Sequence, residues 1–108
     1  MEKRDLSYYQ ELIKSSQACL FYFYTNQCTP CAELRPKVKS LTDAKYPLMK
    51  TEFIAADTAN EMSSRYNVFA SPTIILFFDG KETRRFSKFV SIDEIDRSID
   101  RYYSLIFE

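Results

Sequence analysis

The chain has no histidine and no tryptophan, and it has one glycine, four prolines and three cysteines in 108 residues. Without histidine and with so few cysteines, it falls short of the four protein ligands that a structural zinc site normally takes. Three cysteines are also too few for a disulfide scaffold, and an odd number cannot all pair within one chain. Glycine and proline are scattered rather than clustered, so no linker, repeat or low-complexity tract divides the sequence. An excess of one charge is missing as well. Fifteen Lys and Arg balance fifteen Asp and Glu, which removes the net field that draws a protein to nucleic acid or to an anionic membrane. No apolar run approaches the ~20 residues needed to cross a bilayer. The start, Met1-Glu2-Lys3-Arg4-Asp5, is charged and has no secretory apolar segment. These absences imply a soluble, cytoplasmic protein with no nucleic-acid or membrane partner and no metal.

What is present is the core of one domain, residues 1–108, with 45% hydrophobic side chains. Leu6, Tyr9, Leu12 and Ile13 recur at helical spacing behind a capping Asp5. Ala18 to Tyr24 is apolar on both faces, as a central strand covered on two sides must be. A polar turn, Thr25-Asn26-Gln27, leads into a helix with Pro30 in its first turn, where a missing N–H costs nothing. Pro36 is expected to kink that helix. A second strand is expected from Met49 to Ala56, then a short helix holding Met62 and Tyr66. A third strand runs through Ile74 to Phe78, and Asp79-Gly80 supplies the positive φ of a primed hairpin turn. The return strand is placed at Thr83 to Phe89. Ser91-Ile92-Asp93-Glu94 has the form of a capping box for a last helix with Ile92, Ile95, Ile99, Tyr102 and Ile106 on its buried stripe. The order αβα–βα–ββα specifies an α/β fold, a mixed sheet with helices on both faces.

The chemistry concentrates at Cys28-Thr29-Pro30-Cys31. A cysteine between the end of a buried strand and the start of a helix meets free backbone N–H groups and the positive end of the helix dipole, both of which favour thiolate. Thiolate is the reactive form, and such a position lowers the ordinary thiol pKa of about 8.5 by one or more units. Cys31 lies one helical turn on, within bonding reach. Cys28 is therefore assigned as nucleophile and Cys31 as resolving thiol. Cys19, within the apolar strand, reads as core. Glu33 and Lys37 read as a solvated i, i+4 pair. Tyr24, near the strand end, is placed on the rim that meets substrate.

The run Phe23-Tyr24-Thr25-Asn26-Gln27-Cys28-Thr29-Pro30-Cys31 with Pro36 downstream resembles the active-site strand, turn and kinked helix of the thioredoxin family. Asp57, Tyr66-Asn67-Val68, Ser71-Pro72-Thr73 and Phe78-Asp79-Gly80 follow in the family's order, so the resemblance covers nearly the whole chain. It implies a thioredoxin fold and thiol–disulfide exchange with protein disulfides, fed by an upstream dithiol or reductase. The disulfide Cys28–Cys31 is then the redox group, with no further cofactor. The resemblance also implies a cis-proline at Pro72 and pairing of the Ser71 backbone with an extended substrate segment. The expected substrate-binding set is Tyr24, Gln27, Thr29, Pro30, Ser71 and Pro72, on a monomer. The short N-terminal region points to a four-stranded sheet, a fifth strand being the alternative.

The departures from the family bear on activity. Gln27 stands where the family usually has tryptophan and Thr29 where it usually has glycine. The family's buried aspartate is matched by Tyr22 and its accompanying lysine by Phe53. Tyrosine, with a reference pKa of about 10, is a poor base at neutral pH. A protein-binding module of the same fold with weak or no turnover is therefore the competing reading. Residues within the Cys-X-X-Cys loop move the potential by roughly 100 mV or more, so direction is argued from the expected reducing compartment.

Overall fold

Asp5 opens the first helix, α1 (Leu6–Ser15), by accepting a hydrogen bond from the Tyr8 N–H at 3.1 Å, which satisfies one of the free donors of the first turn. The structure, a computed structural model, describes residues 4–107; Met1, Glu2 and Lys3, part of the charged start, lie outside them. After α1 come β1 (Ala18–Tyr24), α2 (Thr29–Lys45), β2 (Lys50–Ala55), α3 (Asn60–Arg65), β3 (Thr73–Phe78), β4 (Lys81–Ser87) and α4 (Ile92–Phe107). This is the order expected from the sequence. The sheet has four strands in the order β2-β1-β3-β4. The β1–β2 pair is parallel, and the other two pairs are antiparallel.

Strand β1 is apolar on both faces because each face has its own core. Ala18, Leu20 and Tyr22 pack with Val38 of α2 and with Ile95 and Ile99 of α4. Cys19, Phe21 and Phe23 point the other way, toward Tyr9 and Ile13 of α1 and Met62 of α3. Strand β3 divides in the same manner, Ile74 and Leu76 to the first core and Ile75 and Phe77 to the second. Each large side chain buried completely adds about 1.5–3 kcal/mol. The two inner strands therefore fix the register of everything attached to them.

The hairpin between β3 and β4 turns at Asp79 (φ 54°) and Gly80 (φ 78°), the paired positive angles that a two-residue primed turn requires. Such a turn pairs its flanking residues at once, Phe78 with Lys81. The return strand therefore starts two residues before the expected Thr83. It also ends two residues before the expected Phe89, at Ser87. Lys88 adopts φ 63°, which breaks the extended run, and its N–H turns to donate to the Pro72 carbonyl at 2.9 Å. Phe89 falls in a loop instead of a strand and is 97% exposed. Helix α4 starts as the sequence predicts, with Ser91 Oγ accepting from the Glu94 N–H at 3.2 Å. Helix α2 runs on through Pro36 without interruption. Among the described residues, no helix is long and apolar enough to cross a membrane.

Candidate active site

Three strand ends converge where β1 stops. The parallel register sets Tyr24 of β1 beside Ala55 of β2. The antiparallel register sets Phe23 beside Thr73, the first residue of β3. The loop that carries Ser71 and Pro72 into β3 is thereby delivered to the same edge as the turn leaving β1. The Ser71–Pro72 peptide is cis; Pro72 is buried and Ser71 half-buried.

The turn after β1 closes with the Cys28 N–H donating to the Thr25 carbonyl at 3.3 Å. Cys28 is the N-cap of α2 in an extended conformation, and Pro30 occupies the first turn. The Cys28 Sγ accepts from the Cys31 N–H at 3.2 Å, so the sulfur itself takes the capping role that a hydroxyl or carboxylate often fills. Cys28 and Cys31 are joined by a disulfide with their Cα atoms 5.2 Å apart. Cys28 is half-buried and Cys31 is 2% exposed. One sulfur faces approach from outside and the other is shielded behind it. When reduced, the outer sulfur would lie against the donors and the positive end of a 17-residue helix.

Two cavities adjoin the start of α2, one of them lined by both cysteines. One, of about 150 Å³, lies between the end of β1 at Tyr24, Thr25 and Asn26 and the α2 face carrying Cys28, Cys31 and Arg35. The other, of about 210 Å³, brings Pro30 and Leu34 of α2 together with Pro72, Phe89 and Val90. Gln27, Thr29 and Pro30 are exposed, and Tyr24 sits half-buried at the rim. Glu33 and Lys37, read from the sequence as a solvated pair, line the second cavity. Among the described residues, the i, i+4 ion pair on α2 is instead Lys39–Asp43.

Tyr22 lies directly behind the disulfide. Its hydroxyl donates to the Cys31 carbonyl at 2.7 Å, and burial pushes its pKa up to about 12, against a smaller lowering by Arg35. Phe53 stands opposite it in the β1–β2 register, with ring centroids 5.4 Å apart. Cys19 is fully buried in the second core, and burial raises its thiol pKa. It has no part in the site. Among the described residues, no group of three or more His, Cys, Asp or Glu side chains comes together to hold a metal.

Arg35, Phe89 and Val90 join the site without having been singled out by the sequence. Arg35 had a signal, since it follows Cys31 by four residues and so shares its helix face. Phe89 had none, because the end of β4 depends on the turn at Lys88.

Comparison with known proteins agrees with this geometry. The thioredoxin family model matches residues 1–101. The thioredoxin-like protein YdfQ of Bacillus subtilis is 30% identical over 96 residues, covering 89% of this chain and 85% of its own. A thioredoxin of Mycoplasmoides gallisepticum is 31% identical, covering 79% of this chain and 84% of its own. Among solved structures, a mutant thioredoxin from Halobacterium salinarum superposes with a TM-score of 0.81 at 25% identity, covering 92% of this chain and 86% of that one.

Proposed function

The chain belongs to the thioredoxin family, and from that premise we propose that this thiol–disulfide oxidoreductase works in the cytoplasm as a reductant of protein disulfides. The observation that carries the reading is the pairing of a half-buried sulfur at the start of α2 with a shielded partner one turn away. The Cys28 thiolate attacks a substrate disulfide. The bond between the two substrate sulfurs breaks, and the departing sulfur leaves with the electron pair and takes a proton from water. The Cys31 thiolate then attacks Cys28, forming Cys28–Cys31 and releasing the second substrate sulfur as a thiol. Two electrons and two protons have passed from the dithiol to the substrate. An upstream dithiol or a reductase restores the reduced pair, and the protein acts as a monomer with no other cofactor.

Substrate binding is assigned to the edge around Pro72. An extended segment lies along the Ser71 backbone by strand addition, with Tyr24, Gln27, Thr29 and Pro30 forming the surrounding rim. The exposure of Gln27, Thr29 and Pro30 beside the outer sulfur supports this.

The test is direct. Cys28→Ser should reduce a test protein disulfide at no more than ~1% of the parent rate, since the nucleophile's thiolate is the reacting group; turnover at the parent rate would overturn the reading. Equilibration with glutathione buffers fixes the direction, since about 30 mV is a tenfold change in the two-electron equilibrium. A potential in the range of strong oxidants would sink the reductant assignment and leave the exchange chemistry standing.

A further inference from the structure

Resolution of the mixed disulfide asks a 2%-exposed thiol to become a thiolate, and burial opposes that charge. The group behind it does not help. Tyr22 directs its proton to the Cys31 carbonyl at 2.7 Å, and Phe53 beside Tyr22 has no proton to exchange. The cavity that opens onto Cys28 and Cys31 contains no carboxylate in its lining.

It does contain one charge, Arg35. The spacing of four residues places Arg35 on the same face of α2 as Cys31. Its guanidinium carbon lies 4.5 Å from the Tyr24 ring centroid and 5.0 Å from that of Phe53. Contact with two aromatic rings from neighbouring strands limits the freedom that an exposed arginine normally has, and guanidinium stacks on aromatic faces more readily than ammonium does. The stack holds a permanent positive charge at the wall shared by both sulfurs.

We propose that Arg35 stabilises the Cys31 thiolate during resolution, so that a fixed charge serves where a buried proton acceptor is missing. The inference rests on the exchange chemistry above. Cys31 loses its proton to water through the cavity. Its sulfur attacks Cys28, the Cys28–Cys31 bond forms and the Cys28–substrate bond breaks. The electron pair leaves on the substrate sulfur, which is protonated by water. Other charges around this step are few. Tyr24 from β1 and Cys28 from α2 face the same cavity, while Glu33, Lys37 and Lys88 line the second cavity, which neither cysteine lines. Arg35 is a positioning residue for charge; the atoms that react are the sulfurs.

The experiment titrates Cys31 alone. In a Cys28→Ser background, thiolate absorbance is followed against pH with Arg35 intact and with Arg35→Met or Arg35→Lys. Cys19 lies in the other core and is common to every variant, so its contribution subtracts in the comparison. Arg35→Met should raise the Cys31 pKa by roughly one unit, the low end of what a neighbouring opposite charge supplies. Arg35→Lys should raise it by less, and added salt should shrink the difference. With Cys28 restored, Arg35→Met should slow mixed-disulfide resolution about tenfold at neutral pH, with the rates converging in alkali. Superimposable titrations, or slowing by the same factor at every pH, would overturn the proposal. The titration requires no turnover, so its outcome is separable from the fate of the exchange reading.

Discussion

The two ends of helix α2 are built on opposite principles. At its start the cap is a half-buried sulfur, the first two residues are exposed, and two cavities adjoin it. At its finish the chain is fastened to α4. Lys45 Nζ lies 2.9 Å from both carboxylate oxygens of Asp96. The Tyr46 hydroxyl donates to that carboxylate, and the Tyr46 ring meets Tyr103 edge-on at 4.9 Å. A positive Lys45 also suits the negative end of the helix dipole. The contrast teaches that rigidity and reactivity can be separated along one element. An end held by non-local bonds allows the other to stay open, and exchange-competent segments are drawn from the less constrained parts of a structure.

The largest effect on this division should come from Asp96→Ala. It removes the carboxylate shared by Lys45 and Tyr46 in one step, leaving the Tyr46 hydroxyl only the Asp96 backbone carbonyl at 3.2 Å. Hydrogen bonds to charged groups are each worth about 1.5–3 kcal/mol when shielded, and the Asp96 side chain is 30% exposed, so water screens part of this. A loss of about 2 kcal/mol is expected, read as a fall in Tm of roughly 8–16 °C for a domain of this size, with the rate of Cys28 alkylation unchanged. A large change in that rate would show the two ends to be coupled. The pH dependence has a definite sign. Burial disfavours the Asp96 carboxylate, but the Tyr46 and Lys45 hydrogen bonds and the Lys45 charge outweigh it and hold the pKa below the ordinary value. Its stabilisation is therefore complete above the ordinary carboxylate pKa of about 4, and drains as pH falls through the lower folded value. Asp96→Ala should flatten that acid limb.

A smaller effect is expected beneath the open end. Tyr22→Phe deletes the 2.7 Å hydrogen bond to the Cys31 carbonyl and leaves the ring in place, at a cost of about 1 kcal/mol in denaturant unfolding. The raised Tyr22 pKa, about 12, comes first from burial. The hydroxyl's stabilisation is accordingly full below the ordinary tyrosine value of about 10 and lost only as pH rises through the folded value. At neutral pH the variant should keep turnover within tenfold and retain the parent's pH–rate profile. A collapse of the profile would mean that the open end uses the tyrosine proton after all.

What the sequence disclosed about these two ends follows from how local the determinants are. Cys28 at the start of the helix, Pro30 in the first turn, and β1 apolar on both faces are each set within a few residues, and all are realised. The Asp79-Gly80 turn was readable for the same reason. The Arg35 stack was not, because it needs Tyr24 and Phe53 brought side by side by strand pairing. The link from Lys45 and Tyr46 to Asp96 spans about 50 residues, and neither α2 nor α4 contains a local sign of it. The position of Phe89 depended on where a bulged strand stops, which periodicity cannot locate.

The smallest effect sharpens the comparison from within the fastened end. Lys39 and Asp43 form an ion pair at 3.1 Å on α2, one turn before the Asp96 link, with both side chains about 65% exposed. Solvent screens such a pair to a few tenths of a kcal/mol, and lysine placed N-terminal to the acid is the weaker orientation. Asp43 also sits in the closing turns of the helix, where a negative charge opposes the dipole. These terms nearly cancel, so Asp43→Asn should change unfolding free energy by less than ~0.5 kcal/mol in either direction. The contrast with Asp96 lies in the partner, not in the charge: one carboxylate binds its own helix in water, while the other ties two helices together through a hydroxyl inside the core. If Asp43→Asn cost as much as Asp96→Ala, ion pairing along α2 itself, and not its link to α4, would be what holds that end.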